Sequence, residues 1–313
     1  MSDILIEKNV SLAPLTTFKV GGPAEFFVEV KSIIQLQKAL KLSRDNSWPV
    51  FILAGGSNLI VSDEGFRGLV INLKTENWKL KIDRHKLTTE ASVPMSELVK
   101  QSIEAGLAGL EWSGGLPGSF GGAIRGNAGC FGGEIKDSIL SVKSIDIETG
   151  QENFRNNIEC QFGYRDSIFK HNKEVIIEAT VELRPGNSTE LRSVADDHIR
   201  YRQDRQPLEY PNAGSIFKNV PLEQVPNVHL PLFTESVKND PFPVVPTAKI
   251  LAVAGLKGWR VGDAQLSEKH SNYIVNLGGA MASDIVALIE KIKTEIQSKY
   301  QINLEVEPEL VGF

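Results

Sequence analysis

The stretch EWSGGLPGSFGGAIRGNAGCFGG, residues 111–133, holds nine of the chain's 27 glycines. Glycine is costly in backbone entropy and is used where φ must be positive or where something must approach the backbone closely. A flexible linker would be monotonous and rich in Gly and Ser. This stretch instead interleaves Leu116, Pro117, Phe120, Ile124, Asn127 and Phe131, side chains that pack or fix turns. Successive exposed amides form concavities for phosphate oxygens, above all where they open onto a helix. The stretch therefore reads as an ordered cradle for a diphosphate-bearing cofactor, with a purely structural loop as the alternative. It is not the dinucleotide fingerprint, because no clean Gly-x-Gly-x-x-Gly follows a strand with an acidic residue about 20 positions on.

Two further glycine turns lie upstream. AGGSN (54–58) follows a strand-like run and can offer amides and polar side chains to phosphate, although tight turns commonly look like this. KVGGPAEF (19–26) adds a third glycine pair that could border the same ligand. Around them, AEFFVEV (24–30) reads as a strand, and the stretch after it has helical spacing at Ile33, Leu36, Leu40 and Leu42. VFILAGGSNLIVSDEGFRGLVINL (50–73) reads as a buried strand, a turn and further short strands, a rhythm that suggests a small α/β unit over roughly 1–73. A second unit, 74–205, opens with strands in KLKIDRHKLTTEASV and a helix from Pro94 to about Ala105. Strands in SVKSIDIETGQ and EVIIEATVEL follow, then a charged helix over about 188–204. In 206–300, Pro-rich loops over 220–246 lead to a helix ended by Gly255 or Gly258. An amphipathic helix then runs from Ser283 to about Tyr300, and the chain closes on strand-like INLEVEPELVGF.

Composition narrows the class. With 313 residues, two or three domains are expected. At 41% hydrophobic and 23% charged the chain is ordinary globular protein. No run of about 18 apolar residues suggests a transmembrane helix, and MSDILIEKNVSLAPL has no signal-peptide core. Two cysteines, Cys130 and Cys160, are too few for a disulfide framework or a structural zinc site. The expected compartment is the cytoplasm. A net charge of −5 leaves no basic footprint for nucleic acid, and no membrane partner is expected.

Four segments are candidates for chemistry. YPNAGSIFKN (210–219) places Ser215 after small residues with Lys218 and Asn219 close behind; a turn entering a strand would look the same. It is not the Gly-x-Ser-x-Gly nucleophile elbow. The histidines show no pairing at metal-ligand spacing, so no metal is expected, though His270 lies in the polar run SEKHSNY. FGYRDS (162–167) sets Arg165 between aromatic and polar residues, and arginine matches a carboxylate bidentately. In LEVEPELVG (304–312), alternation puts Leu304, Val306 and Pro308 on one face and Glu305, Glu307 and Glu309 on the other, as in a solvated edge strand.

Together and in order, PLTTFKVGGPAEFF, ILAGGSNLIVSDEGFRGLVI, GLPGSFGGAIRGNAGCFGGEI, YRDSIF, QPLEYPNAGSIFKN, AGLKGWRVGDAQLSEKHSNYIVN and LEVEPELVG span nearly the whole chain. The chain so resembles the UDP-N-acetylenolpyruvoylglucosamine reductases, flavoenzymes of bacterial peptidoglycan synthesis, in their shorter form. The resemblance implies an α+β protein of three parts. Two FAD-binding subdomains of the vanillyl-alcohol-oxidase type would span 1–73 and 74–205. A C-terminal α+β substrate-binding subdomain would span 206–300, and the strand 301–313 would return to the flavin site. It implies non-covalent FAD, with NADPH as reductant. The substrate would be UDP-N-acetylglucosamine enolpyruvate, which takes a hydride from flavin N5 at C3 and a proton at C2 to give UDP-N-acetylmuramate.

The residue roles follow from that resemblance. Hydride addition at C3 leaves negative charge at C2, spread into the carboxylate, and preorganised donors stabilise such charge. Arg165 matches the catalytic arginine, Glu307 the catalytic glutamate and Ser215 the general acid that protonates C2. Tyr164, Lys218, Asn219, Gln265 and His270 fall at or beside substrate positions. Gly55, Gly56, Ser57, Asn58 and Leu59, with Pro117, Gly118, Ser119, Gly121, Gly122, Ala123, Asn127 and Gly129, fall at FAD positions. Cys130 stands where the family usually has alanine and Gly126 where it has a bulkier residue. Lys249 sits where the family tends to be apolar or acidic. Covalent flavin oxidases of the same fold tether FAD through a histidine near the first glycine turn, and no histidine precedes His85 here. The rival readings are a non-covalent FAD oxidase or dehydrogenase acting on an alcohol or sugar, and a catalytically silent flavin- or nucleotide-binding protein. The oligomeric state is left open, with a monomer favoured.

Overall fold

The structure is a computed structural model that describes residues 4–74, 80–239 and 242–313. Lys79, which opens the expected strand in KLKIDR, and two residues of the Pro-rich loops lie outside the described residues. The chain divides into two compact units. Unit one is 1–10, 24–55 and 67–201; unit two is 11–23, 56–66 and 202–313. Segments 11–23 and 56–66 thus fall in unit two, although they lie inside the span 1–73 read from the sequence as one α/β unit.

Unit one contains two sheets. The first is four-stranded, in the order Glu7–Ser11, Pro23–Val30, Phe66–Leu73, Val50–Leu53, and its last two strands run parallel. Helix α1 (Ile33–Asp45) starts at Ser32, whose hydroxyl accepts from the amide of Gln35 as an N-cap should. It buries Leu36, Ala39 and Leu40 against Val28, Val30, Leu69 and Ile71. That cluster continues into Ile145, Val175 and Ile177 of the second sheet, so both sheets share a core.

The second sheet is antiparallel throughout, ordered Glu152–Asn156, Ile139–Asp146, Glu174–Glu182, Lys86–Glu90, Leu80–Asp83. Helix α2 (Met95–Glu104) begins directly after Pro94 and stops at Gly106, whose φ of +66° is left-handed. It shares a core with helix α3 (Phe120–Arg125), centred on Leu87, Leu98, Phe120, Ile124 and Val142. The charged helix expected near 188–204 is α4 (Ser188–Arg205).

Unit two is built on a three-stranded antiparallel sheet, Arg260–Val261, Ala264–Leu266 and Ile274–Asn276, with helices α5 (Thr247–Val253) and α6 (Ala282–Tyr300). Helix α6 buries Ile285, Leu288, Ile289, Ile292 and Ile296, an i, i+3, i+4 stripe. Phe18, Val20 and Ile60 enter the same core, which is how the two early segments belong here. The carboxylate of Asp63 accepts from the amides of Ala282 and Ser283 at the start of α6. Burial alone would raise the pKa of Asp63, but these bonds, with one from the Ser283 hydroxyl, hold it below its ordinary value. The C-terminal strand is shorter than the sequence suggests: only Glu309–Val311 is strand, and it pairs in parallel with Leu59–Val61.

Candidate active site

In unit one the glycine stretch is ordered. A single helical turn, Glu111–Ser113, leads through Gly118, at a φ of 96°, to an extended Ser119 and then into α3, whose Ser119 hydroxyl accepts from the Gly122 amide at 3.2 Å. Three backbone bonds stitch this stretch to the loop before α2. Met95 donates to Gly118 at 3.0 Å, Phe120 to Val93 at 2.8 Å and Gly121 to Ala91 at 2.7 Å. This closeness explains several glycines without any ligand. A Cβ on Gly121 would come within 2.7 Å of the Ala91 Cβ, one on Gly114 within 2.4 Å of the Ala195 carbonyl, and one on Gly133 within 2.4 Å of the Trp112 ring. Gly122 and Gly126 are looser, with first neighbours at 3.3 and 3.5 Å. Gly55 lies in the bend just after the unit-one strand Val50–Leu53, and its Cβ would lie 2.7 Å from the Cα of Gly118. The two glycine turns therefore meet backbone to backbone. The amides of Gly55, Gly118 and Ser119 donate to no acceptor among the described residues.

Arg165 sits on a tight turn in the same unit. Gly163 and Asp166 bond each other's backbones across Tyr164 and Arg165, and Arg165 has a left-handed φ of 55°. Its guanidinium donates to the Gly129 carbonyl at 2.7 Å and lies 5.0 Å from the centre of the Tyr164 ring. Lys170 donates to the Arg165 carbonyl at 2.7 Å, and the buried Ser167 hydroxyl to the Arg125 carbonyl at 2.7 Å. Asn127 is fully buried; its Nδ2 donates to Gly163 O at 2.7 Å and its Oδ1 accepts from Lys136 N at 3.2 Å. Glu134, which the sequence reading passed over, is buried beside Gly129, and its Oε1 has no partner among the described residues.

Unit two holds the other candidates. The segment 215–218 runs antiparallel to 305–307: Lys218 N donates to Glu305 O at 2.9 Å, and Glu307 N to Ile216 O at 2.8 Å. This register sets Ser215 next to the residue paired with Glu307. Gly214, at φ 78°, makes the turn into it, and its amide is held by Asn212 Oδ1. The buried Asn272 locks the other edge. Its carbonyl accepts from Ile216 N, its Oδ1 from Phe217 N, and its Nδ2 donates to Phe217 O. Asn58 joins the C-terminal segment by donating from Nδ2 to Glu307 O at 3.4 Å and accepting from Glu309 N at 3.0 Å. The amides of Gly56, Ser57 and Asn58 donate to nothing among the described residues.

The remaining expected contacts of unit two are partly committed. Lys218 pairs with Glu305 at 3.1 Å, and Asn219 Oδ1 accepts from Thr247 N at the start of α5. Gln265 donates to Gly258 O at 3.3 Å from the middle strand of the sheet. His270 follows that strand, and its Nδ1 accepts from Asn272 N. Burial, helped by Lys257 and Lys238, lowers its pKa from the ordinary 6.5. Lys249 is an exposed position on α5. Cys130 reaches the Trp112 carbonyl at 3.6 Å, while Cys160 is buried and its thiol is pushed up to about 11, chiefly by that burial. Among the described residues no group of three or more His, Cys, Asp or Glu could hold a metal ion, and no helix is long and apolar enough to cross a membrane.

Comparison with known proteins matches two families along the chain. Residues 24–152 match the FAD binding domain family, and 206–311 match the C-terminal domain of UDP-N-acetylenolpyruvoylglucosamine reductase. The reductase of that name from Carboxydothermus hydrogenoformans is 38% identical over 306 residues, 97% of this chain and 93% of the relative. The chain belongs to the UDP-N-acetylenolpyruvoylglucosamine reductase family. A second member, from Halalkalibacterium halodurans, is 36% identical over 98% of this chain and 94% of its own. The crystal structure of the family's reductase from Thermus caldophilus covers 99% of this chain and all of its own, with a TM-score of 0.78 at 30% identity. The chain is thus an FAD-dependent oxidoreductase of α+β fold, as the sequence motifs lead one to expect. The residues of unit one fit that cofactor: a backbone-to-backbone cradle at Gly55 and Gly118, amides left free beside it, and one buried carboxylate oxygen left without a partner.

Proposed function

We propose that this family member reduces UDP-N-acetylglucosamine enolpyruvate to UDP-N-acetylmuramate with NADPH, in the cytoplasm and for peptidoglycan synthesis. The observation that carries the reading is the register of 215–218 against 305–307, which sets the serine and glutamate that match the family's chemistry on paired segments. In this proposal 1–73 and 74–205 form the FAD-binding subdomains, 206–300 binds the UDP-sugar, and 301–313 contributes Glu307. FAD, when bound, supplies the hydride that NADPH provides. The free amides of Gly55, Gly118 and Ser119 hold its diphosphate, because clustered backbone N–H groups favour an anion. Arg165 donates to the enolate that develops on the substrate carboxylate. Glu307 assists as a hydrogen-bond donor in its protonated form. Ser215 holds the proton that C2 receives; its hydroxyl is a weak acid, but the enolate is a strong base and position outweighs acidity. Tyr164, Lys218, Asn219, Gln265 and His270 contact the diphosphate, sugar or carboxylate of the substrate.

The test is anaerobic stopped-flow reoxidation of the NADPH-reduced protein. Mixing with UDP-N-acetylglucosamine enolpyruvate is expected to restore the flavin absorbance in one phase. If that substrate leaves the absorbance unchanged, the reading fails, and an oxidase acting on an alcohol or sugar is next in line. Acid precipitation is expected to leave the flavin in solution, since no histidine tether is in place.

A further inference from the structure

Helix α3 ends in a pair of bonds that define one kind of helix stop. Ala128 N donates to Ala123 O at 2.8 Å, and Asn127 N to Ile124 O at 3.1 Å, with Asn127 in the left-handed region at φ 41°. Glycine is the usual residue there, because it alone adopts that backbone without a Cβ penalty. The surrounding stretch uses glycine at nine positions, yet at this one the chain carries asparagine. The side chain therefore has a use that outweighs the backbone preference, and the structure shows it. Both of its polar ends are spent on backbone groups, Nδ2 on Gly163 O and Oδ1 on Lys136 N, and the residue is fully buried.

Gly163 is the first residue of the turn that presents Arg165. We infer that Asn127 is a positioning residue for Arg165: its amide holds the Gly163 carbonyl and so fixes the turn against the glycine stretch. Arg165 needs such support because its own φ of 55° is unfavourable for a residue with a Cβ, and such conformations persist only where the surroundings over-determine them. Three bonds do so from one side. Asn127 holds residue 163, the Gly129 carbonyl receives the guanidinium of residue 165, and the Ser167 hydroxyl grips the Arg125 carbonyl. All three partners lie within 125–129, so the glycine stretch sets the place of the arginine as well as cradling a cofactor. The inference rests on the proposed role of Arg165 toward the substrate.

A double-mutant cycle on the FAD-loaded protein tests it. Asn127→Gly removes the clamp and gives the backbone the residue its φ prefers. It is expected to retain FAD, to be reduced by NADPH at a rate within about threefold of the parent, and to lose about 10- to 100-fold in kcat with little change in KM, as expected for a misplaced reacting group. Amide exchange in 162–167 is expected to accelerate in the same variant. In an Arg165→Ala background, Asn127→Gly is expected to add less than about threefold, since residues that act as a unit are not additive. Full multiplication of the two losses overturns the positioning role, and so does a folded Asn127→Gly protein that no longer retains FAD. If Arg165→Ala alone turns over like the parent, the role of Arg165 itself falls, a separate result. Should Asn127→Gly fail to fold, Asn127→Asp keeps the Lys136 acceptor, loses the donor to Gly163, and enters the same cycle with the same outcomes.

Discussion

In unit one the candidate residues are held by what is missing: glycines let the turns at Gly55, Gly118 and Gly121 close to contact distance, and Asn127 bonds the Gly163 carbonyl at the start of the Arg165 turn. In unit two they are held by pairing between segments far apart in the chain, 215–218 with 305–307 and 59–61 with 309–311. The first arrangement is sensitive to added volume. The second is sensitive to whatever keeps the ladder in register, chiefly Asn272 and the turn around His270. Each unit should therefore fail in its own way.

The largest effect should come from unit two. Ser215→Ala leaves the ladder intact, since only backbone atoms of its neighbours form it. Turnover is expected to fall by about 10²- to 10⁴-fold, the range for a lost general acid, while NADPH still bleaches the flavin. Normal turnover of the variant would remove Ser215 from the reaction and leave unit two with a purely binding role.

Unit one should answer to volume. Gly55→Val forces a side chain into the Gly118 backbone at 2.7 Å, so FAD content is expected to drop and stability to fall by about 1–3 kcal/mol, as overpacking does. Gly126→Ala, in the same glycine-rich run, meets nothing closer than 3.5 Å at a φ of −91° and should raise stability by about 0.4–1 kcal/mol. Thermal melts with flavin content measured in parallel decide both. Equal effects from the two substitutions would mean that the glycine stretch is not sorted by contact as described.

The smallest effect is a pH dependence confined to unit two. The pKa of His270 is lowered in the folded chain, so unfolding takes up a proton there. Its contribution is complete above the ordinary 6.5 and is lost as pH falls below it. Protonation also removes the Nδ1 lone pair that accepts from Asn272 N. Urea midpoints followed from about pH 7.5 to about pH 5 should decline, and His270→Gln should flatten that decline. An unchanged slope in the variant would place the pH sensitivity elsewhere.

Much of this was legible before any coordinates. The helices α1 and α6 follow from apolar spacing, α2 and α5 from punctuation such as Pro94, Gly106 and Gly255, and α4 reads as a charged run. The family resemblance names candidate site residues, because short-range motifs carry the chemistry. It does not say what holds them. Gly121 packs against Ala91, where a Cβ would come within 2.7 Å of the Ala91 Cβ, and the Asn127 amide bonds the backbone of Gly163 and Lys136. Glu134, with an unpartnered buried oxygen, carried no signal in sequence at all.

The sequence by itself determined the local order of strands, helices and glycine turns, since helical and strand periodicity and turn chemistry act over a few residues. Only the tertiary structure decided which distant segments pair. Leu59–Val61 leaves the sheet of its neighbours Val50–Leu53 and Phe66–Leu73 for a parallel partner about 250 residues on, as read from the register with Glu309–Val311. Backbone amides and carbonyls are the same at every residue, so nothing in the letters 59–61 names that partner. The choice is made by burial of Ile60 in the core of unit two, a property of the whole chain and not of any stretch of it.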